Sequence, residues 1–158
     1  MFREMRRRKQ QRTDEECCEL LKVEKRGVLA LHGEDGYPYA IPMNFHFDEV
    51  ERKLYFHCAR EGHKIDAINA DNKACFTVFN QGYRDEGDWA YHVTSVVAFG
   101  RITPVDDKQV AYDKARALGL KYYPTAEGVD DEMEKAFSRV LILCMDIDHM
   151  TGKIVHEK

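Results

Sequence analysis

Residues 57–68 read HCAREGHKIDAI. A histidine, a cysteine, a glycine and a His63-Lys64 pair stand where the apolar run Leu54-Tyr55-Phe56 gives way to a helical pattern. Glycine lets the backbone turn sharply and approach a ligand closely. A helix beginning at His63-Lys64 aims free N–H groups and a partial positive charge at its own start. A lysine and an imidazole added there make a place suited to a phosphate. The same two side chains also fit an ordinary solvated loop.

Other chemistries are weaker on spacing. His57 and Cys58 are neighbours on a strand, so their side chains point to opposite faces. A Cys–His nucleophile at Cys58 therefore needs another histidine. His57 and His63 are six positions apart, which is not a usual metal-ligand spacing. The five cysteines, at 17, 18, 58, 75 and 144, form no C-x-x-C pair. No metal is expected, and the thiols read as reduced and mostly buried. There is no G-x-S-x-G, P-loop or dinucleotide fingerprint.

The elements that must position these residues can be read along the chain. Thr13-Asp14-Glu15-Glu16 is a capping box opening a helix to about Lys25, which Gly27 ends. Val28–His32 reads as a strand and Gly33–Gly36 as a hairpin turn. Then Tyr37, Tyr39, Ile41, Met43, Phe45 and Phe47 alternate with Pro38, Ala40, Pro42, Asn44, His46 and Asp48. That is a period-two pattern with one large apolar face. Its two prolines exclude a regular central strand and point to an edge or a bulge. Further strands are expected over Leu54–Ala59, Lys73–Asn80, Tyr91–Val105 and Val140–Asp148. Helices are expected over Lys64–Ala70, from Asp106-Asp107 to about Tyr123, and over Asp130–Arg139. Gln81–Ala90 is a loop holding the only tryptophan, Trp89. Hairpin-linked strands with one short helix between them exclude a regular βαβ alternation. A small antiparallel barrel with helices packed outside is the natural closure.

The 158 residues suggest a single domain over 1–158, large enough to hide roughly 70% of its unfolded surface. Hydrophobic residues at 44% and charged residues at 33% are a globular rather than a disordered composition. No apolar run approaches the ~20 residues of a membrane span, and the basic start has no apolar segment behind it, so a cytoplasmic protein is expected. Net charge is −4, yet residues 1–12 carry six basic side chains against Glu4 alone, a balance of +5 that leaves −9 elsewhere. A basic arm can bind nucleic acid. An acidic body would repel a polyanion, so the preferred reading is an arm that is solvated or lies on its own fold.

"YPYAIPMNF" and "YFHCAREGHK" at their mutual spacing, followed by "SVVAFGRI", resemble the pyridoxamine 5'-phosphate oxidase-like flavoproteins, and more narrowly their 5-nitroimidazole resistance (Nim-type) branch. The resemblance spans nearly the whole chain. It implies a mainly β protein with flanking helices, an antiparallel split β-barrel, acting as a homodimer with FMN at the subunit interface. It implies that Lys64 holds the flavin phosphate, helped by His63 and the backbone after Ala59. Pro42, Met43, Asn44 and Phe45 would line the isoalloxazine ring, largely through backbone. His57, Cys58 and Ala59 would follow the ribityl chain and ring edge. Ser95 and Arg101 would reach the cofactor or the partner subunit, and Trp89 and Tyr91 are candidate lid residues from the other chain.

The family's oxidase proper grips its substrate with C-terminal arginine and tryptophan residues, and the tail "HMTGKIVHEK" has neither. Vitamin B6 oxidation is therefore not expected. The expected function is an FMN-dependent oxidoreductase passing electrons to a small-molecule acceptor, with a nitroaromatic as the candidate the family implies. His57 or His63 would supply a proton, His57 being the catalytic candidate. The alternative is a non-catalytic flavin- or haem-binding protein on the same barrel.

Overall fold

The computed structural model describes residues 1–156. Eight antiparallel strands form one sheet: β1 (Gln11–Arg12), β2 (Arg26–His32), β3 (Pro38–Asn44), β4 (His46–Asp48), β5 (Lys53–Ala59), β6 (Lys73–Phe79), β7 (His92–Pro104) and β8 (Val140–His156). Four helices flank it: α1 (Asp14–Val23), α2 (His63–Ala70), α3 (Lys108–Tyr122) and α4 (Ala126–Ala136). None of them is long and apolar enough to cross a membrane.

The strand order is β3-β2-β6-β7-β8-β5-β4, with β1 added beside β8. Its two ends, β3 and β4, are consecutive in the chain with only Phe45 between them. The sheet therefore rolls into a barrel closed at that point by covalent chain, and the rest of its margin is left split. The prolines fit this margin. Tyr37 C=O accepts from Gly33 N–H, so odd-numbered backbone faces β2, and the nitrogens of Pro38 and Pro42 face the open side where no ladder bond is lost.

Phe45 is fully buried at the seam, edge-on to Phe76 at 4.9 Å, and Phe76 meets Phe56 in the same way at 5.0 Å. With Leu29, Val78, Val96, Ile102 and Met145 these rings fill the barrel interior. A second cluster, Tyr55, Ala111, Ala115, Ile142 and Cys144, lies outside the barrel under α3. This explains the unbroken run Leu54-Tyr55-Phe56: β5 is covered on both faces, so alternation disappears. Lys114 fastens α3 to the β4–β5 turn, reaching Asp48 at 2.7 Å and Glu51 at 3.0 Å.

Several boundaries differ from the sequence reading. Helix α1 ends at Val23 rather than about Lys25, and Gly27 lies inside β2 instead of terminating the helix. The last strand continues past Asp148 to His156. Asp148 is an extra residue opposite Phe99 and Gly100, so the alternation changes phase there and the continuation is hard to see. Gly100 is needed at this bulge, because a Cβ would stand 1.9 Å from the Asp146 carbonyl oxygen. Helix α4 begins four residues before Asp130, capped by Thr125, whose hydroxyl accepts from Gly128 N–H at 3.1 Å. The apolar alternation breaks at Phe45 into two strands.

The basic arm lies on the fold. Phe2 stacks on His149 at 4.7 Å and meets Phe99 at 5.5 Å, Arg8 pairs with Glu4, and Arg12 pairs with Glu16 at 2.9 Å. All five cysteines are free thiols.

Candidate functional site

At its far end β5 outruns β4: pairing with β4 stops at Tyr55, and His57–Ala59 bond only to β8. The free side of those residues and the free side of β3 bound the split, and the two strands touch. Helix α2 follows directly. Its N-cap is Gly62, at φ 122° and ψ 175°, a conformation open essentially to glycine alone. Its carbonyl accepts from Ile65 N–H at 2.8 Å and Asp66 N–H at 3.1 Å. No side chain caps the helix, and the space over Gly62 is open. The start of α2 is thus an exposed set of backbone donors with Lys64 in its first turn.

Lys64 draws the neighbouring residues into one electrostatic site. Burial, then the Lys64 charge, lowers the pKa of His57. Burial raises that of Cys58, and Lys64 opposes the rise. One ammonium therefore acts on both side chains although they leave the strand on opposite faces. Cys58 packs against the barrel core. His57 is exposed and lines a cavity walled by α3 and α4. Ala59 is exposed at the strand end.

The ring of His63 lies flat on that of Tyr39, centroids 3.9 Å apart and planes 19° from parallel. This stack ties α2 to β3 across the split. It occupies a face of the imidazole and leaves the ring edge for hydrogen bonding. Tyr39 is a site residue the sequence reading did not single out; it stood there only as one apolar position in the alternation.

In the segment 42–45, Pro42 is exposed and Asn44 half-buried, so these two face the margin. Met43 and Phe45 are buried in the core. The backbone of Phe45 is already engaged: its N–H is donated to the Tyr122 hydroxyl at 2.9 Å, and its carbonyl lies 3.1 Å from that oxygen. Any contribution of Phe45 to a ligand is thereby limited to shaping the seam.

Ser95 and Arg101 stand elsewhere. Both lie on the outward face of β7, Ser95 opposite Phe79 and Lys153, Arg101 opposite Lys73 and Asp146. Within one chain they are not brought to the side on which Tyr39 and Cys58 pack. Trp89 and Tyr91 are exposed. Their loop is held at its base by a Tyr83–His92 bridge and by stacking of His92 on His156 at 4.0 Å. Among the described residues no group of side chains is arranged to hold a metal ion.

The family model described as pyridoxamine 5'-phosphate oxidase matches residues 13–154. No curated protein matches the sequence. Among solved structures, a candidate 5-nitroimidazole antibiotic resistance protein from Bacteroides thetaiotaomicron superposes with a TM-score of 0.76 at 19% identity, over 92% of this chain and 86% of that one. An FAD and haem binding protein from Mycobacterium smegmatis gives 0.72 at 20% identity, over 92% of this chain and 73% of that one. An FAD binding protein from the same organism gives 0.67 at 19% identity, over 94% and 99%. At these identities the likeness is one of fold.

Proposed function

The chain belongs to the pyridoxamine 5'-phosphate oxidase family, and on that premise we propose that it is an FMN-dependent oxidoreductase that takes electrons from a reduced nicotinamide or another donor and passes them to a small electrophile such as a nitroaromatic. The observation that carries the reading is the start of α2: uncapped backbone donors, open space over Gly62, and Lys64 beside them. That donor set fits the phosphate end of a flavin. The solved relatives named for flavin binding, and the one named for nitroimidazole resistance, agree with it.

In this reading Lys64 and the amides of the first turn hold the phosphate, and His63 lends its ring edge. Pro42, Asn44, Cys58 and Ala59 flank the chain and ring along the split. A bound flavin would supply the two-electron transfer. Burial and then the Lys64 charge lower the pKa of His57. In this reading it gives a proton to the reduced acceptor and regains one from the solvent to which it is exposed.

The active form in this proposal is a homodimer. The outward face of β2, β6 and β7 exposes Val28, Phe79 and Phe99, and a second copy would cover them. Ser95 on that face would then approach the other subunit's flavin. The phosphate-binding residues also suit a protein that carries flavin without turnover, and the first measurement bears on both. Visible absorbance of freshly purified protein, with FMN found in the heat-released supernatant, is the expected result. A colourless protein that takes up no added FMN would overturn the reading, and a Soret band would reassign the barrel to haem.

A further inference from the structure

The two rings stacked at the start of α2 are unequally anchored. Tyr39 stands on β3 opposite Leu31, a buried residue of β2, and packs against the barrel core. His63 is exposed and comes directly after Gly62, at the first position of the helix. An exposed imidazole beside a glycine turn has many orientations open to it. Ordering such a side chain when a ligand binds takes away part of the affinity its contact would give. With ring centroids 3.9 Å apart and planes 19° from parallel, Tyr39 has already ordered it.

A ring held flat by one face can offer a ligand only its edge. Both imidazole nitrogens lie in that edge, and either can carry an N–H. The edge is held beside the uncapped backbone donors of the first turn and next in sequence to Lys64. A donor placed by a strand is placed more firmly than one left to a turn. The stack uses the ring of Tyr39 and not its hydroxyl.

We infer that Tyr39 is a positioning residue for phosphate recognition: by holding His63 in place it makes the site favour a phosphorylated flavin over riboflavin. The inference rests on the flavin reading for the ligand, and on the stack for the role. Tyr39 acts here through His63 and does not touch the phosphate itself. Riboflavin shares the ring system and the ribityl chain of FMN and lacks only the phosphate. It therefore senses everything that the split does for the flavin except the contact that His63 makes. A stack that served only to fasten α2 to β3 would matter equally to both ligands.

The test titrates FMN and riboflavin separately into the full chain, read by flavin fluorescence. In Tyr39→Leu the dissociation constant of FMN should rise about threefold or more, the order expected when one side chain must be ordered on binding. That of riboflavin should stay at the parent's value. Tyr39→Phe keeps the ring and should match the parent with both ligands. With His63→Ala already in place, Tyr39→Leu should cause no further loss of FMN affinity. Tyr39→Met replaces Tyr39→Leu if the latter fails to fold. Unchanged FMN affinity, equal weakening of FMN and riboflavin, or a full second loss in the His63→Ala chain would overturn the inference and leave the flavin reading standing. A parent protein that binds neither flavin would overturn both.

Discussion

The hydroxyl of Tyr122, in the last turn of α3, accepts the backbone N–H of Phe45 at 2.9 Å and lies within hydrogen-bond reach of the carbonyls of Phe45 and Lys25. One phenol thus secures the residue at which the barrel closes. Without it a buried N–H has no partner, which costs about 1–3 kcal/mol. Tyr122→Phe is expected to lower the urea midpoint by that stability with an unchanged slope. A loss under about 0.5 kcal/mol would mean that the seam holds without this bond.

Lys64→Glu puts a carboxylate where the proposed phosphate sits and leaves the barrel interior untouched. Flavin retention should fall at least tenfold, the equivalent of about 1.4 kcal/mol, while far-ultraviolet circular dichroism and the thermal midpoint stay close to the parent's. Equal flavin content in the two proteins would remove Lys64 from the phosphate site.

Gly62→Ala tests the turn before α2 separately from charge. Nothing lies within 4 Å of the added methyl group, so no clash arises. The cost is all in the backbone at φ 122°, about 1–3 kcal/mol. Thermal unfolding should show that loss, and flavin binding should weaken with it because the amides of the first turn move. A fully stable Gly62→Ala protein would show that the turn relaxes.

Lys121 gives a dependence on pH. Its ammonium sits over the Phe45 ring at 3.7 Å and donates to the Leu21 carbonyl at 3.2 Å. Burial lowers its pKa to about 8. Below that pH both folded and unfolded chains carry the proton, and the folded chain bears the full cost of a buried charge. Between about 8 and the ordinary 10.5 only the unfolded chain keeps it, so this group makes stability rise with pH. The gain is at most about 3 kcal/mol. Cys17, whose thiol burial pushes up to about 11, works the other way from 9 upward. The comparison that isolates Lys121 is the parent against Lys121→Met from pH 7 to 10.5, where the variant's advantage should shrink as pH rises. A constant difference would show that Lys121 keeps its charge.

Local signals were legible where neighbouring residues decide the outcome. The capping box at Thr13 and Glu16 forms as read, each side chain meeting the other residue's N–H. The alternation ending at Phe47 and its two prolines describe an edge strand, and β3 is one. What was hidden depends on distant partners. The seam at Phe45 is made by a tyrosine 77 positions away. The start of α4 lies between Pro124 and Gly128, two residues that locally disfavour a helix, and its cap is Thr125. The second half of β8 was lost to the phase change at Asp148. At the candidate site the Gly62, His63 and Lys64 cluster was visible as a motif. Tyr39 beneath His63 and the cavity facing His57 were not, because they come from elements that meet only in the folded chain.

Closure through one residue also fixes one end of the split. At Phe45 the two margins are joined by chain and cannot part. Tyr39 is six residues up β3, about 20 Å away at the usual rise of a strand. The His63–Tyr39 stack bridges the margins at that far end, beside Lys64. The split is thus tied twice, by covalent chain at Phe45 and by two stacked rings at the start of α2, and only the second tie is non-covalent.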